Sequence, residues 1–246
     1  MSLEIQPNRP TVQAYRGIDY FNRDHVLHRI KVRVALRARE RMYQRVLAVT
    51  RPTRETRILD VGTTPDLQTP YNNFFERGYP HPDRLTACSI EDCSNLESAF
   101  PGLTFRRTEG VTLPFQDMEF DVALSFAVLE HVGSQSNQQR FLAELARVSH
   151  TFLVYTPYRY FPVEMHTFLP FSHWLPARCH RAFWRMLGLE FWADERNLNL
   201  LSIRTLKRLL PSFGRSKIRL LRTWGWPSNI ELHWQRLAVP GVGVNA

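Results

Sequence analysis

The sequence lacks the features of disulfide-rich, zinc-binding and membrane-spanning proteins. Its 246 residues include only Cys88, Cys93 and Cys179, an odd number without a CxxC pair. We therefore expect neither a disulfide framework nor a structural zinc site. The first ten residues, MSLEIQPNRP, contain no apolar core of signal-peptide length, and charged residues interrupt every apolar run well short of a membrane span. These absences predict a soluble protein of the reducing cytoplasm.

Glycine-rich phosphate loops are missing as well. The stretch RILDVGTTPD, residues 57–66, has the pattern of a buried strand that turns toward a helix, but it contains one glycine. A dinucleotide fold uses GxGxxG and a P-loop uses GxxxxGK[ST], because the backbone must approach a pyrophosphate closely. The turn therefore disfavours a pyrophosphate cofactor. It favours a cofactor that needs only amide and carboxylate partners here.

The apolar content of 43% and the aromatic content of 12% are typical of a fully folded chain. After Pro52, short apolar runs alternate with helical stretches, which indicates a parallel sheet with crossover helices. A proline-broken, tryptophan-rich stretch at 157–200 has the pattern of an inserted lid. We predict strands at 57–61, 84–89, 103–107, 120–126 and 151–155, and two late strands at 217–223 and 230–239 that pair antiparallel at the sheet edge. Helices are predicted at 138–148, with Phe141, Leu142, Leu145 and Val148 on one apolar face, and at 203–210, with Ser202 as the N-terminal cap.

Positive charge is concentrated near the N-terminus. The whole chain carries a net charge of +9, and residues 23–51 contain nine Lys or Arg and two acids, so this segment carries 9 − 2 = +7. Its period predicts one helix with an apolar stripe and a neighbouring arginine ridge. A solvated face explains the ridge, and the alternatives are contact with an anionic membrane, a phosphorylated substrate or, least favoured, nucleic acid. The stripe contains Val26, Ile30, Val34, Ala38, Met42, Val46 and Val49, and the ridge contains Arg29, Arg33, Arg37, Arg41 and Arg45.

Two stretches together resemble the class I S-adenosylmethionine-dependent methyltransferases. Members commonly have LDVGCGTG at a first site and D…LPF…FD…VLEH at a second. This chain has LDVGTTPD at 59–66 and EGVTLPFQDMEFDVALSFAVLEH at 109–131. The resemblance covers about residues 57–160. It implies a Rossmann-like, doubly wound, mostly parallel seven-stranded sheet with helices on both faces and an inserted lid.

The resemblance also implies a binding site for S-adenosylmethionine. Asp60 and Gly62 would face the methionine end of the cofactor, with the threonines of the departing TTPD turn in hydrogen-bonding reach. Glu91 is favoured over Asp92 as the acid for the ribose hydroxyls, and Glu109 would accept from the adenine amino group. The predicted cofactor residues are Asp60, Gly62, Thr63, Thr64, Asp66, Ile90, Glu91, Glu109, Gly110, Ser125, Phe126 and Ala127.

The acceptor side is predicted at His131 and in the stretch TPYRYFPVEMHTFLPFSHWLP, residues 156–176. Methyl transfer from a sulfonium mainly requires orientation of the acceptor, and an oxygen or nitrogen acceptor also loses a proton. His166 or His131 is the candidate base, and Glu164 would orient the imidazole or bind a substrate hydroxyl. Arg159 completes the predicted catalytic set. Glu164, His166, His173 and His180 follow no standard metal spacing, so no metal is expected.

We therefore predict a methyltransferase that acts on a small-molecule or lipid- or saccharide-linked acceptor. The alternative is a catalytically silent protein of the same fold that serves as a scaffold, because TTPD replaces the glycine-rich turn. The expected partners are the acceptor and an anionic membrane surface, with no specific nucleic acid. We predict one domain with four segments, at 1–52 (basic helix), 53–157 (cofactor core), 158–200 (lid) and 201–246 (helix and edge strands).

Overall fold

The computed structural model describes residues 26–237, with side chains from residue 32 onward. The apolar runs form one seven-stranded sheet whose strands are β1 (Ile58–Val61), β2 (Leu85–Ser89), β3 (Thr104–Arg107), β4 (Phe120–Phe126), β5 (Ser149–Pro157), β6 (Gly214–Thr223) and β7 (Trp226–Arg236). Their order is β3-β2-β1-β4-β5-β7-β6. The first five strands are parallel, and β7 is antiparallel to both β5 and β6. The predicted fold class is confirmed.

Helices cover both faces of this sheet. They are α1 (Val26–Thr50), α2 (Phe74–Gly78), α3 (Asn95–Ala99), α4 (Gln135–Val148), α5 (Ala177–Met186), α6 (Glu190–Ala193) and α7 (Ile203–Leu209). Neighbouring residues of a strand point to opposite faces. Ile58 accordingly packs in the cluster with Met42 and Val46 of α1, whereas Leu59 packs with Leu142 of α4. None of the described helices is both long and apolar enough to cross a membrane.

The crossover helices differ from the predicted ones mainly in length. Helix α4 begins at Gln135, three residues before the predicted start, because Ser134 caps it by accepting a hydrogen bond from the Asn137 amide. Its apolar face is buried as predicted. Glu130 and His131 lie outside this helix, in a separate one-turn 3₁₀ helix at Leu129–His131. That turn keeps both side chains near the carboxyl end of β4.

The segment 158–200 has a small apolar core of its own. Trp184, Ala193 and Leu198 are buried together, and Trp192 packs against them. The chain then enters α7, where Ser202 accepts from the Thr205 amide as the predicted cap. The antiparallel pairing of β6 and β7 is confirmed, although the predicted end of the last strand at 239 lies outside the described residues.

Helix α1 packs on the sheet through the predicted apolar stripe, of which Met42 and Val46 are fully buried. The side chains of Val26, Arg29 and Ile30 lie outside the described residues. Arg33, Arg37 and Arg41 are exposed, but Arg45 points inward. Its guanidinium donates to both oxygens of Glu231 on β7, at 2.7 and 3.0 Å. Arg45 of the predicted ridge therefore forms an ion pair within the fold and does not belong to the exposed ridge.

Arg45→Met is expected to destabilise the folded protein by about 2 kcal/mol. The change leaves the Glu231 carboxylate, whose side chain is 2% exposed, without its cation. An uncompensated buried charge costs several kcal/mol, and the partial exposure of Arg45 reduces that cost. Urea denaturation measures the free energy of unfolding, with Arg37→Met on the exposed face as the control. Equal stabilities of the two variants would contradict this role for the pair.

Candidate active site

The turn after β1 requires glycine at position 62 for two reasons, its backbone conformation and the close packing around it. Gly62 has φ +100°, and a Cβ built on it would lie 2.1 Å from Cγ2 of Val128. Its amide donates to the Cys88 carbonyl at 2.8 Å. A side chain at position 62 would therefore first meet Val128, on the turn after β4. Glycine is required here for the approach of two strand ends, whatever ligand binds.

The TTPD loop is organised by its own side chains. Asn73 accepts from the Thr64 amide at 3.2 Å and donates to the Thr64 carbonyl at 2.8 Å. Asp66 accepts from the amides of Gln68 and Thr69 and from the side chain of Asn72. Hydrogen bonds from Thr69 and its neighbours lower the pKa of Asp66. Asp66 thus orders the loop, and both of its oxygens are already hydrogen-bonded within it.

Two buried hydroxyls remain for a ligand at these strand ends. Thr63 follows β1, Ser125 lies near the end of β4, and both residues are buried. Neither hydroxyl oxygen has a hydrogen-bond partner within the described structure. Buried polar atoms without partners are rare in folded proteins, and a bound ligand is one way to satisfy them.

Asp60 forms a carboxyl pair with Glu76 of α2, which the sequence did not predict. Burial raises the pKa of Asp60 well above its ordinary value, and the charge of Glu76 raises it further. The pKa of Glu76 is also raised by burial, and the neighbouring Asp60 carboxyl partly opposes that rise. Both Glu76 oxygens are buried, and neither has a hydrogen-bond partner within the described structure. Because two neighbouring buried carboxylates repel each other, the arrangement favours one shared proton and one negative charge for the pair.

Arg39 of α1 supplies a positive charge beside this pair. The guanidinium lies over the Phe74 ring at 5.2 Å, and it interacts electrostatically with Glu130, Asp60 and Tyr71. Burial lowers the pKa of Arg39 and the nearby acids oppose that shift, but an arginine remains charged. The carboxyl end of β1 thus has both an anionic and a cationic group.

The predicted ribose and adenine residues lie after β2 and β3. Ile90 and Glu91 follow β2, where the Glu91 amide donates to the Ser89 hydroxyl at 3.3 Å. Glu109 is exposed and forms an isolated bridge with Thr112. Gly110 has φ +67°, and a Cβ added there would contact none of the described atoms. These residues lie at the same sheet edge as Asp60, because β1, β2 and β3 run parallel.

The end of β4 is walled by aromatic rings. Phe126 stacks on Tyr155 with centroids 5.3 Å apart and contacts the edge of Phe74 at 4.6 Å. The next residue, Ala127, has φ +59°, an unfavourable conformation for a residue with a Cβ. Its amide donates to the Tyr155 carbonyl at 2.7 Å, which helps to hold that conformation. The strained turn directs the chain toward Glu130 and His131.

His131 and His166, predicted separately, meet in the structure. Their rings lie 4.9 Å apart in a T-shaped contact, and Trp192 is 4.9 Å from His166 and 6.4 Å from His131. The Nδ1 atom of His131 lies 2.7 Å from the Asn197 carbonyl. This contact assigns the proton to Nδ1, which leaves Nε2 as the basic ring atom. The insertion therefore brings His166 to the end of β4.

Glu164 fixes His166 from within the same turn. Its carboxylate accepts from Nδ1 of His166 at 2.6 Å and from the amides of His166 and Thr167. Burial alone would raise the pKa of Glu164, but these hydrogen bonds outweigh burial, and the pKa lies below its ordinary value. Glu164 is thus ionised, orients the imidazole and also stabilises the turn.

A buried glutamate lies beside the two histidines. Glu130 accepts from the Thr156 hydroxyl through Oε2 at 2.9 Å. Its Oε1 has no hydrogen-bond partner in the described structure and lies 3.9 Å from Nε2 of His131. One atom each from Glu130, His131 and His166 lie within 4.8 Å of one another. Such a group can bind a polar substrate atom, and its spacing would also accommodate a cation.

The remaining candidates of the insertion have other contacts. Arg159 donates to the Leu175 carbonyl at 2.7 Å. His173 and His180 lie within hydrogen-bonding distance of the carbonyls of Phe161 and Leu175, and burial lowers the pKa of both. Among the described residues, the side chains grouped closely enough to hold a metal include His166 but not Glu164, His173 or His180, so the four-residue set considered from the sequence is not brought together.

Sequence reasoning missed Arg39, Glu76, Asn73 and Trp192. The two phenylalanines before Glu76 are only a weak signal for it, because Arg77 and Gly78 follow directly. Arg39 lies in the predicted basic helix but is absent from the predicted ridge. Asn73 and Trp192 are distant in sequence from the motifs they support, and no local pattern identifies them.

Comparison with known proteins supports the arrangement. Residues 75–151 match a family model described as a methyltransferase domain. No curated protein sequence matches the chain. Among solved structures, the PH0226 protein from Pyrococcus horikoshii aligns with a TM-score of 0.54 at 11% identity, over 91% of this chain and 98% of that one. The N-terminal domain of EvdMO1 with SAH bound aligns at 0.51 and 15% identity, over 83% and 81% of the two chains. At these identities the structural likeness establishes the fold.

Proposed function

We propose that this chain, a class I S-adenosylmethionine-dependent methyltransferase, methylates an oxygen or nitrogen of a small-molecule or lipid- or saccharide-linked acceptor. The methyltransferase-domain match at residues 75–151 and the strand order give the enzyme class and the cofactor. The assembled Glu164–His166–His131 group carries the proposal for the acceptor side.

The groups at the end of β1 fit the methionine part of the cofactor. Its ammonium needs an anionic partner, which the Asp60–Glu76 pair offers, and its carboxylate needs a cation, which Arg39 offers. The unpartnered hydroxyls of Thr63 and Ser125 provide further hydrogen bonds. The binding of SAH by the similar domain of EvdMO1 supports the same ligand here. Glu91 and Glu109 remain the proposed partners of ribose and adenine.

The bound cofactor supplies an activated methyl group on sulfur, so the protein has to place the acceptor and remove its proton. Glu164 holds the Nδ1 proton of His166, which leaves the lone pair on Nε2. We assign to this atom the proton of the acceptor hydroxyl or amine. His131 and the buried carboxylate of Glu130 orient the acceptor, and Trp192 covers the histidines and limits access of water.

Aromatic side chains support a ring-containing or saccharide acceptor. Trp192 lies against both histidines, and Phe126 and Phe74 form an aromatic wall near the end of β4. Aromatic faces bind flat apolar or sugar rings, while the few polar groups fix orientation. The cytoplasmic location, the division into segments and the roles of Arg159 and the lid stay predictions.

Titration calorimetry with S-adenosylhomocysteine is the first test. We expect binding in the micromolar range or tighter, a rise in the unfolding temperature with ligand, and methyl transfer to at least one member of a panel of phenols, sugars and amines. An absence of binding at millimolar ligand would favour the catalytically silent scaffold.

A further inference from the structure

A basic face extends across α1 and the β6–β7 hairpin. Arg33, Arg37 and Arg41 recur every four residues on α1 and are exposed, so they form one ridge along the helix. Unlike Arg45, their guanidinium groups have no acidic partner within the described structure. The methyl-transfer site uses none of the three.

The hairpin adds cations on the same side of the sheet. Lys217 and Arg219 are exposed and alternate with residues that face the other way. They share the face of Leu221, which packs with the α1 cluster. Their cross-strand neighbours are His233 and Glu231. Arg215 and Arg222 are exposed on the same strand.

Acidic residues do not neutralise this face. Glu231 is buried and bound by Arg45. Glu40 is exposed on α1 and accepts a hydrogen bond from Gln44. Among the residues of α1, β6 and β7 whose side chains are described, the basic face presents six cations, Arg33, Arg37, Arg41, Arg215, Lys217 and Arg219, against one exposed acid, Glu40. Arg222 adds a further exposed cation near the hairpin tip.

Two exposed tryptophans lie at the hairpin tip. Trp224 is 73% exposed and Trp226 is 54% exposed. The tip is fastened to α1, because Arg41 donates to the Arg222 carbonyl at 3.0 Å, and Arg222 donates to the Gly225 carbonyl at 3.0 Å. A cavity of about 80 Å³ lies between α1 and the hairpin tip. It is lined by Val34, Arg37, Ala38, Arg41, Thr223 and Trp224.

We propose that the basic face binds the anionic headgroups of a phospholipid membrane, with Trp224 and Trp226 at the interface. Arginines next to an apolar-walled cavity suit a lipid phosphate, and tryptophan is the residue favoured at the depth of the headgroups. Neighbouring cations add electrostatic attraction to an anionic surface. A nucleic acid would also attract the cations, but the two tryptophans are confined to one tip and do not alternate along a binding groove.

Binding at this face would place α1 on the membrane. The same helix carries Arg39 toward Asp60, on a side different from Arg37 and Arg41. Helix α1 would then contribute residues both to the lipid-binding face and to the proposed cofactor site. Membrane binding at this face does not depend on the acceptor, since it depends on surface charge and exposed tryptophans.

Vesicle cosedimentation of the full chain tests the proposal. We expect binding to vesicles of phosphatidylcholine with phosphatidylglycerol, little binding to phosphatidylcholine alone, loss of binding at high salt, and a blue shift of tryptophan fluorescence. Arg33→Gln with Arg37→Gln should weaken binding roughly fivefold for each charge removed. Trp224→Ser combined with Trp226→Ser should abolish most of the blue shift.

The matched control removes the same charge from the opposite face of the sheet. Arg204→Gln with Lys207→Gln changes two exposed cations of α7, and it should leave vesicle binding unchanged. Affinity for S-adenosylhomocysteine and the unfolding temperature should stay the same in all variants, which separates this test from that of methyl transfer. Equal binding to neutral vesicles, equal loss in the control, full competition by inorganic phosphate, or tighter binding of a single-stranded oligonucleotide would overturn the proposal.

Discussion

His166→Ala is expected to lower the rate of methyl transfer in a single turnover by about 10² to 10⁴, the usual contribution of a general base. The imidazole is held by Glu164 at 2.6 Å and lies against His131 and Trp192. Its removal takes away the proton acceptor but none of the groups assigned to the cofactor. The dissociation constant for S-adenosylhomocysteine should therefore change little.

The pH dependence separates a base from a merely structural residue. The defect of His166→Ala should shrink at high pH if the acceptor ionises unaided. Glu164→Gln should show a smaller loss, although it also weakens the turn, because Glu164 accepts from two backbone amides as well as from the imidazole. If His166→Ala kept the wild-type rate, either His131 would be the base or the reaction would need no base.

His150 offers a matched control for this experiment. It is exposed near the amino end of β5, at the sheet edge opposite the site. His150→Ala removes the same side chain, and we expect a wild-type rate and pH profile. A comparable loss in His150→Ala would indicate a general effect on folding, and the unfolding temperature of both variants would identify it.

Asp60→Ala is expected to weaken binding of S-adenosylhomocysteine by about 100-fold or more, which corresponds to roughly 3 kcal/mol. The change removes one member of the carboxyl pair proposed to hold the cofactor ammonium. Calorimetry measures the loss, and Asp83→Ala, an exposed acid at the amino end of β2, is the control. Wild-type affinity in Asp60→Ala would remove this pair from the cofactor site.

The shared proton gives the same residue a second signature. The raised pKa of Asp60 means that the folded, ligand-free protein keeps a proton that the unfolded chain has already lost. The stabilisation that this proton gives to the folded state is therefore complete below the ordinary carboxyl pKa. It is lost as pH rises through the raised pKa. Asp60→Asn should flatten this fall and make the ligand-free protein more stable than wild type at neutral pH. Urea denaturation across pH measures it, and an unchanged pH profile would contradict the shared proton.

Binding should also depend on pH in the wild type. An ammonium beside the pair favours the ionised form, so cofactor binding should release a proton and strengthen as pH rises. Calorimetry in buffers of different ionisation enthalpy detects the release. Asp60→Asn should lose it, because the pair then has no proton to give up.

Local sequence patterns were enough to predict the main secondary-structure elements of this chain. Strand β4 was predicted at its observed bounds, the edge pair β6–β7 was predicted with its antiparallel pairing, and Ser202 was predicted as a cap. Each depends on neighbouring residues, through alternation of apolar side chains or a side chain that reaches a nearby amide. The resemblance over residues 57–160 added the doubly wound, seven-stranded architecture and the cofactor.

Tertiary structure decided which charged residues act together. The sequence singled out His131 and His166 but not their contact, which depends on how the insertion folds back over β4 and β5. It placed Arg45 in an exposed ridge, whereas the fold pairs Arg45 with Glu231, 186 positions away. It predicted Asp60 but not Glu76 or Arg39 beside it. Periodicity determines secondary structure because it reports local geometry, whereas the charge state and role of a buried group depend on neighbours that only the folded chain brings together.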